Sequence, residues 1–182
     1  MSVHLETPSR RREQEFLEAV RRSRALHRGL VSPPRTREQF LAYLDRLKQP
    51  SSLGHFVCLD DDELAGVINI SEIVRGAFRS AYLGYYAFSP HDARGNMSAG
   101  LRLVVGRAFR THRLHRLEAN IQPGNRQSIA LVSGLGFRLE GLSPRYLKIS
   151  GRWRDHERWA LTVEDWKATV ARAKRTSYTR SP

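Results

Sequence analysis

Met97, Leu101, Val104, Val105, Ala108 and Phe109 recur at i, i+4, i+7, i+8, i+11 and i+12. That spacing lays one apolar stripe along a helix and makes no sense on a strand. Before it stands SAYLGYYAF, residues 80–88, rich in Tyr and Phe, and then the loop SPHDARGN. After it comes HRLEANI, in which Leu117, Ala119 and Ile121 alternate with Arg116, Glu118 and Asn120, the two-residue period of a strand with one buried face. A strand, a loop, an amphipathic helix and a strand make a crossover unit, so this part of the chain must belong to a sheet with a helix lying on it.

A second crossover follows at once in QPGNRQSIALVSGLGF, residues 122–137. Pro123-Gly124 ends the strand, Asn125 suits a helix N-cap, and Ile129, Leu131, Val132 and Leu135 are spaced to bury one face, with Gly134 or Gly136 ending the helix. A capped core helix explains all of this except the second small polar residue on the first turn, Ser128.

The flanks complete the pattern. VHLET begins the chain, residues 10–28 read as a basic helix with Phe16, Leu17 and Val20 on one side, and Thr36 caps a helix over 37–48. HFVCL and LAGVINI read as strands joined by the acidic turn of residues 60–63, where four carboxylates suggest either a cation site or a solvated hairpin turn. FRLEG, RYLKIS and HERWALT read as two or three antiparallel strands, 164–174 as a last helix, and the end of the chain as a loose tail. The expected organisation is one α/β domain over 1–175 with a mixed sheet and two crossover helices, and a tail over 176–182.

Composition narrows the function. The chain has 182 residues and a single cysteine, Cys58, which excludes an internal disulfide and, on sequence grounds, a cysteine-based metal site; the histidines show no paired helical spacing, so no metal is expected. The Arg-rich N-terminus lacks a signal-peptide apolar region and no apolar run reaches membrane-spanning length, which predicts a cytoplasmic protein with no membrane partner. Net charge is +13, carried almost wholly by Arg, a field that attracts polyanions: RNA or a phosphate-bearing ligand. The loop before the Met97 helix suits the second. A helix start exposes unpaired N–H groups and the positive end of the helix dipole, Gly95 permits close backbone approach, and Arg94 adds charge; a plain turn would also explain Gly95.

Taken together, GVINISEIVRGAFRSAYLGYYAF, DARGNMSAGL, HRLEANIQPGNRQSIALVSGLGF and EGLSPRYLKISGRWRDHERWAL resemble the GNAT acetyltransferase superfamily, and within it the RimJ/RimL group of ribosomal-protein N-terminal alanine acetyltransferases. The resemblance implies a GNAT-type mixed, mostly antiparallel sheet flanked by helices, with a splayed central strand pair, and acetyl-CoA as co-substrate. It implies that the pyrophosphate rests on the loop of Ala93, Arg94, Gly95, Asn96 and Met97 and the pantetheine arm along Tyr86, Ala87 and Phe88. Asn125 and Ser128 match the family's Asn-x-x-Ser, with Ser128 as the catalytic donor to the departing thiolate and a backbone N–H near Phe88 steadying the oxyanion. The sequence departs from the family at Ala93, where the loop usually has Gly, at Asn96, and at Ala99, where Glu is common; Arg145 stands near a position that is acidic in some members.

An α-amine, with a pKa of about 7.7 to 8.0, is partly neutral at pH 7, whereas lysine near 10.4 needs a strong base. No such base stands out, so the implied acceptor is the N-terminal amine of a protein, with a small-molecule amine as an alternative. Glu118 and Glu72 suit either a water-relayed base or ion pairs with neighbouring arginines; His91 suits a solvated loop histidine or a substrate contact; Trp153, Asp155 and His156 suit hairpin packing as well as substrate contact. A rival from another class is an RNA-binding ribosome-assembly factor on the same fold, for which the charge argues.

Overall fold

The computed structural model describes residues 2–178 of the backbone. Strands β1 (Val3–Glu6), β2 (Leu53–Leu59), β3 (Leu64–Val74), β4 (Ser80–Ala87), β5 (Arg116–Ile121), β6 (Arg138–Ile149) and β7 (Arg152–Thr162) form one sheet in the order β1-β2-β3-β4-β5-β7-β6. Every neighbouring pair is antiparallel except β4 with β5. The parallel pair is the one the Met97 stripe requires: α4 (Asn96–Arg110) crosses between its strands, and α5 (Arg126–Gly134) carries the chain on toward β6.

The pleat sorts side chains onto two cores. On one face, α1 (Glu13–Arg22), α2 (Arg24–His27) and α3 (Arg37–Arg46) close over Phe16, Phe40, Tyr43, Phe56, Val67 and Phe88, an aromatic cluster in which Phe16 meets Phe88 edge-on at 5.8 Å between ring centroids. On the other face the α4 stripe, Leu101, Val104, Val105 and Ala108, packs on Val57, Ile68, Ile70, Leu83 and Leu117. α6 (Val163–Tyr178) completes that side, with Trp166 against Phe109 at 5.5 Å between ring centroids.

Several boundaries differ from the sequence reading. The basic helix over 10–28 is broken into a 3-10 turn at Arg10–Arg12, α1 and α2, because Ser23 leaves helical geometry while its Oγ donates back to Ala19 O at 2.7 Å. Of the two or three antiparallel strands expected after α5 there are two, because FRLEG and RYLKIS run as the single strand β6, with register shifts near Gly141 and Pro144 in the β6–β7 ladder. The tail expected over 176–182 is helical as far as Tyr178, and 179–182 lie outside the described residues. Among the described residues no helix is long and apolar enough to cross a membrane.

Candidate active site

β4 and β5 pair only over Ser80–Tyr82 and Arg116–Glu118. Beyond Tyr82 the strands part, leaving β4 an unpaired edge from Leu83 to Ala87. Phe88 N–H donates to Ala65 O at 2.8 Å, and the register of β3 with β4 then fixes the alternation: Phe88, Tyr86 and Gly84 turn their polar groups to β3, while Ala87, Tyr85 and Leu83 turn theirs to the gap. Of the backbone N–H groups near Phe88, that of Phe88 itself is consumed inside the sheet, and its ring lies fully buried in the aromatic core. The donors that face the gap are the N–H groups of Tyr85 and Ala87. Ala87 O is already bonded, by His27 Nε2 at 2.8 Å. Nε2 donates this hydrogen bond, since a carbonyl only accepts, and burial lowers the pKa of His27, which favours the neutral ring.

Two helices start at the mouth of the gap. α4 has Gly95 as its N-cap, in the left-handed region at φ +83, and no side chain caps it. Ala99 N–H is the first taken within the helix, by Gly95 O at 3.0 Å, so the N–H groups of 96–98 point outward unpaired. A Cβ built on Gly95 would meet nothing within 4 Å, so the backbone there is bare toward the opening. Ala93 is also left-handed, at φ +57, which explains the glycine the family favours at this place and shows that alanine adopts the same turn. α5 is capped instead by Asn125, whose Oδ1 accepts from Ser128 N–H at 3.1 Å, as the sequence suggested. Tyr85 Oη donates to Ser128 O at 3.3 Å and so fixes α5 against the open edge of β4.

A cavity of about 510 Å³ runs through the gap. One half is bounded by Ala93, Gly95, Met97, Ser98, Asn125, Gln127 and Ser128; the other by Leu26, His27, Leu30, Val31, Leu147, Ile149 and His156, with Tyr86 and Ala87 between them. Of the cofactor-contact residues that the resemblance implies, Phe88, Arg94 and Asn96 do not line it. Arg94 is exposed, and Asn96 is buried with its Nδ2 donating to His91 O at 3.2 Å, an internal brace for the loop. The unpaired edge, the uncapped helix start and the bare Gly95 backbone suit an elongated ligand that carries amide groups at one end and a pyrophosphate at the other.

The remaining candidates separate clearly. Glu118 accepts from Arg116 Nε at 2.8 Å, the ion pair rather than a free base, and Glu72 is exposed and away from the cavity. His91 is buried, contrary to a solvated loop histidine, and its Nε2 lies 2.9 Å from Glu63. The acidic turn is consumed by such partners: Asp60 binds Ser2, and Asp62 takes Arg12 Nη2 at 2.6 Å. The structure does bring Cys58 beside His4 and Asp62, a grouping the single cysteine did not suggest. Arg12 Nη2 also lies 3.8 Å from Cys58 Sγ, so a guanidinium already supplies the positive charge, and burial pushes the thiol up to about 11. Arg145 is exposed with its N–H donating to Asp155 Oδ1 at 2.7 Å, and Trp153 is exposed on the hairpin. His156, by contrast, is buried on β7 in the cavity wall, a placement hidden from sequence because it depends on the pairing of β7 with β5.

Residues 3–138 match the family model described as acetyltransferase (GNAT) domain. The chain belongs to the GNAT acetyltransferase family. As a GNAT protein it is an acetyl-CoA-dependent acetyltransferase acting on an amine. Among curated relatives it is 35% identical over 131 residues to the probable N-acetyltransferase YjcK of Bacillus subtilis, covering 71% of this chain and 72% of that one. It is 38% identical over 128 residues to the [ribosomal protein uS5]-alanine N-acetyltransferase of Escherichia coli, covering 69% of this chain and 66% of the relative. Among solved structures, Mycobacterium smegmatis RimJ in complex with CoA-disulfide superposes with a TM-score of 0.84 at 27% identity, over 94% of this GNAT chain and 89% of the other.

Proposed function

We propose that this protein acetylates the N-terminal α-amine of a protein, and a ribosomal protein in particular. The observation that carries the reading is the chemistry of the cavity half beyond the splay: Leu26, Leu30, Val31, Leu147 and Ile149 make it apolar, and Asp92 is the single carboxylate on the wall of the whole cavity among the described residues. Asp92 accepts from Ser89 Oγ at 3.0 Å and belongs to the loop on the cofactor side. A polyamine needs acidic groups to hold its second ammonium, and here it meets aliphatic side chains in a protein of net charge +13. A chain terminus with a small apolar first side chain meets a complementary surface. The alanine-specific relative acting on uS5 points the same way, and the basic surface favours a target that sits among ribosomal phosphates.

Acetyl-CoA supplies the activated acetyl group. The N–H groups at 96–98 and the Gly95 backbone hold its pyrophosphate, and the open edge of β4 pairs with its pantetheine amides. The N–H of Tyr85 or Ala87 then meets the negative charge that gathers on the acetyl oxygen as the amine attacks; such preorganised donors are typically worth about 10² to 10³ in rate. Ser128, on the first turn of α5, donates its hydroxyl proton toward the departing sulfur, while Asn125 keeps that turn in place.

The test is release of free thiol from acetyl-CoA in the presence of an Ala-initiated peptide, spermidine, or free lysine, with calorimetry of acetyl-CoA alone. Millimolar peptide should be turned over far faster than either small amine at pH 7.5. Faster turnover of spermidine would transfer the assignment to small amines, and absence of acetyl-CoA binding together with salt-sensitive RNA binding would favour the assembly-factor role.

A further inference from the structure

Three histidines line the cavity, and they differ in which nitrogen faces it. His27 spends Nε2 on Ala87 O, and its Nδ1 is sealed in the protein without a partner. His91 spends Nε2 on Glu63, and its Nδ1 is sealed likewise. His156 is the reverse. Its Nδ1 lies 2.9 Å from Arg154 O, a carbonyl that can only accept, so in the neutral ring the proton sits on Nδ1 and Nε2 carries the lone pair. Nε2 has no protein partner among the described residues and is not sealed, and the cavity is where it opens. The ring itself is 3% exposed, so its orientation is fixed by packing against Tyr146, 6.1 Å away between ring centroids.

Asn120 stands next to it. The register pairs Asn120 with Arg158, which puts Asn120 and His156 on the same face of adjacent strands, one diagonal step apart. Asn120 Oδ1 is buried, has no hydrogen-bond partner, and belongs to a side chain that lines the same cavity. An orphaned acceptor and an available lone pair thus converge from β5 and β7 on the acceptor side of the splay. A primary amine supplies the two N–H groups that such a pair lacks.

We propose that His156 Nε2 is the base that takes the proton from the incoming amine and that Asn120 Oδ1 orients the same nitrogen. This rests on the acetyltransfer reading above. The ammonium of the acceptor gives one proton to Nε2, which passes it to water. The nitrogen lone pair then forms the C–N bond to the acetyl carbon, the C–S bond breaks with its electron pair going to sulfur, and the second proton lost by nitrogen balances the thiolate as free thiol. Around His156 stand Tyr146 from β6, Arg154 and Arg158 on its own strand, Glu118 from β5 bound to Arg116, Tyr82, Tyr85 and Tyr86 from β4, and His27, His91 and Asp92 on the cavity wall. None of them combines an open lone pair with a position on this wall.

The experiment measures kcat/KM for an Ala-initiated peptide from pH 6.5 to 9.5 in wild type, His156→Gln and Asn120→Ala, with acetyl-CoA affinity by calorimetry and folding by thermal melt. At pH 7 His156→Gln should lose roughly 10² or more in kcat/KM. The loss should shrink as pH passes the amine's pKa of about 7.7 to 8.0, because the substrate then arrives deprotonated. Asn120→Ala should act mainly on the peptide's KM, by roughly tenfold, and both variants should bind acetyl-CoA as wild type does. A His156→Gln loss that is equal at every pH, or no loss, overturns the assignment while leaving the acetyltransferase reading intact. A wild type that binds no acetyl-CoA and releases no thiol overturns the reading on which the assignment stands. Should His156→Gln fail to melt cooperatively, the Asn120→Ala KM effect decides, and an unchanged KM there overturns the pairing.

Discussion

The two helices that open onto the cavity begin in opposite ways. α5 satisfies its own first turn, with Asn125 Oδ1 on Ser128 N–H, and keeps a hydroxyl beside the gap. α4 begins on a left-handed glycine with no side-chain cap and no acidic residue in its first turn, and its outward N–H groups remain unspent. Capping stabilises a helix end by about 1 kcal/mol, so leaving α4 uncapped costs stability that only a bound anion returns. One helix start is finished as structure and offers a side chain; the other is left incomplete and offers its backbone.

That contrast can be broken experimentally. The largest effect is expected from Gly95→Glu, which puts a carboxylate where the bare backbone should meet a pyrophosphate: acetyl-CoA affinity should fall by more than about 10², read by calorimetry, while the fold persists at a cost of about 1 to 2 kcal/mol, since the new Cβ meets open space but is strained at φ +83. Unchanged affinity would show that α4 does not hold the cofactor. Next, Ser128→Ala should lower kcat by roughly 10 to 10³ with little change in acetyl-CoA affinity, since water partly replaces the lost donor. Turnover at the wild-type rate would reduce α5 to a scaffold. The smallest effect is expected from Asn125→Ala, which should lower stability by about 1 kcal/mol in a denaturant melt, with Asn125→Asp restoring most of it. Equal stability of all three would mean that α5 needs no cap.

What the sequence disclosed tracks how local each feature is. The α4 stripe, the Thr36 and Asn125 caps and the β5 alternation depend on neighbours within one or two turns, and all appear where expected. The strands after α5 were legible up to their number, two or three, because a run containing Gly141 and Pro144 suits one bulged strand as well as two. The donors facing the gap and the role of Nε2 in His156 were illegible. Both follow from register, which a sequence records only through partners far along the chain: which N–H near Phe88 is open shows only once that of Phe88 is seen on Ala65, and His156 looks like a turn residue until β7 is laid beside β5.

The hydrogen bond from His27 to Ala87 O joins the end of the acceptor-side helices to the strand edge where the thioester would lie. Anyone retargeting this enzyme by grafting a foreign segment over 10–48 would therefore exchange a clasp on β4 along with the cavity-lining residues Leu26, Leu30 and Val31. A graft that keeps histidine at that junction would change which amine is chosen; one that drops it would loosen the machinery that does the choosing. Natural diversification of acceptors on this scaffold faces the same coupling, and divergence should be least costly at Leu26, Leu30 and Val31, which line the cavity and belong to neither hydrophobic core.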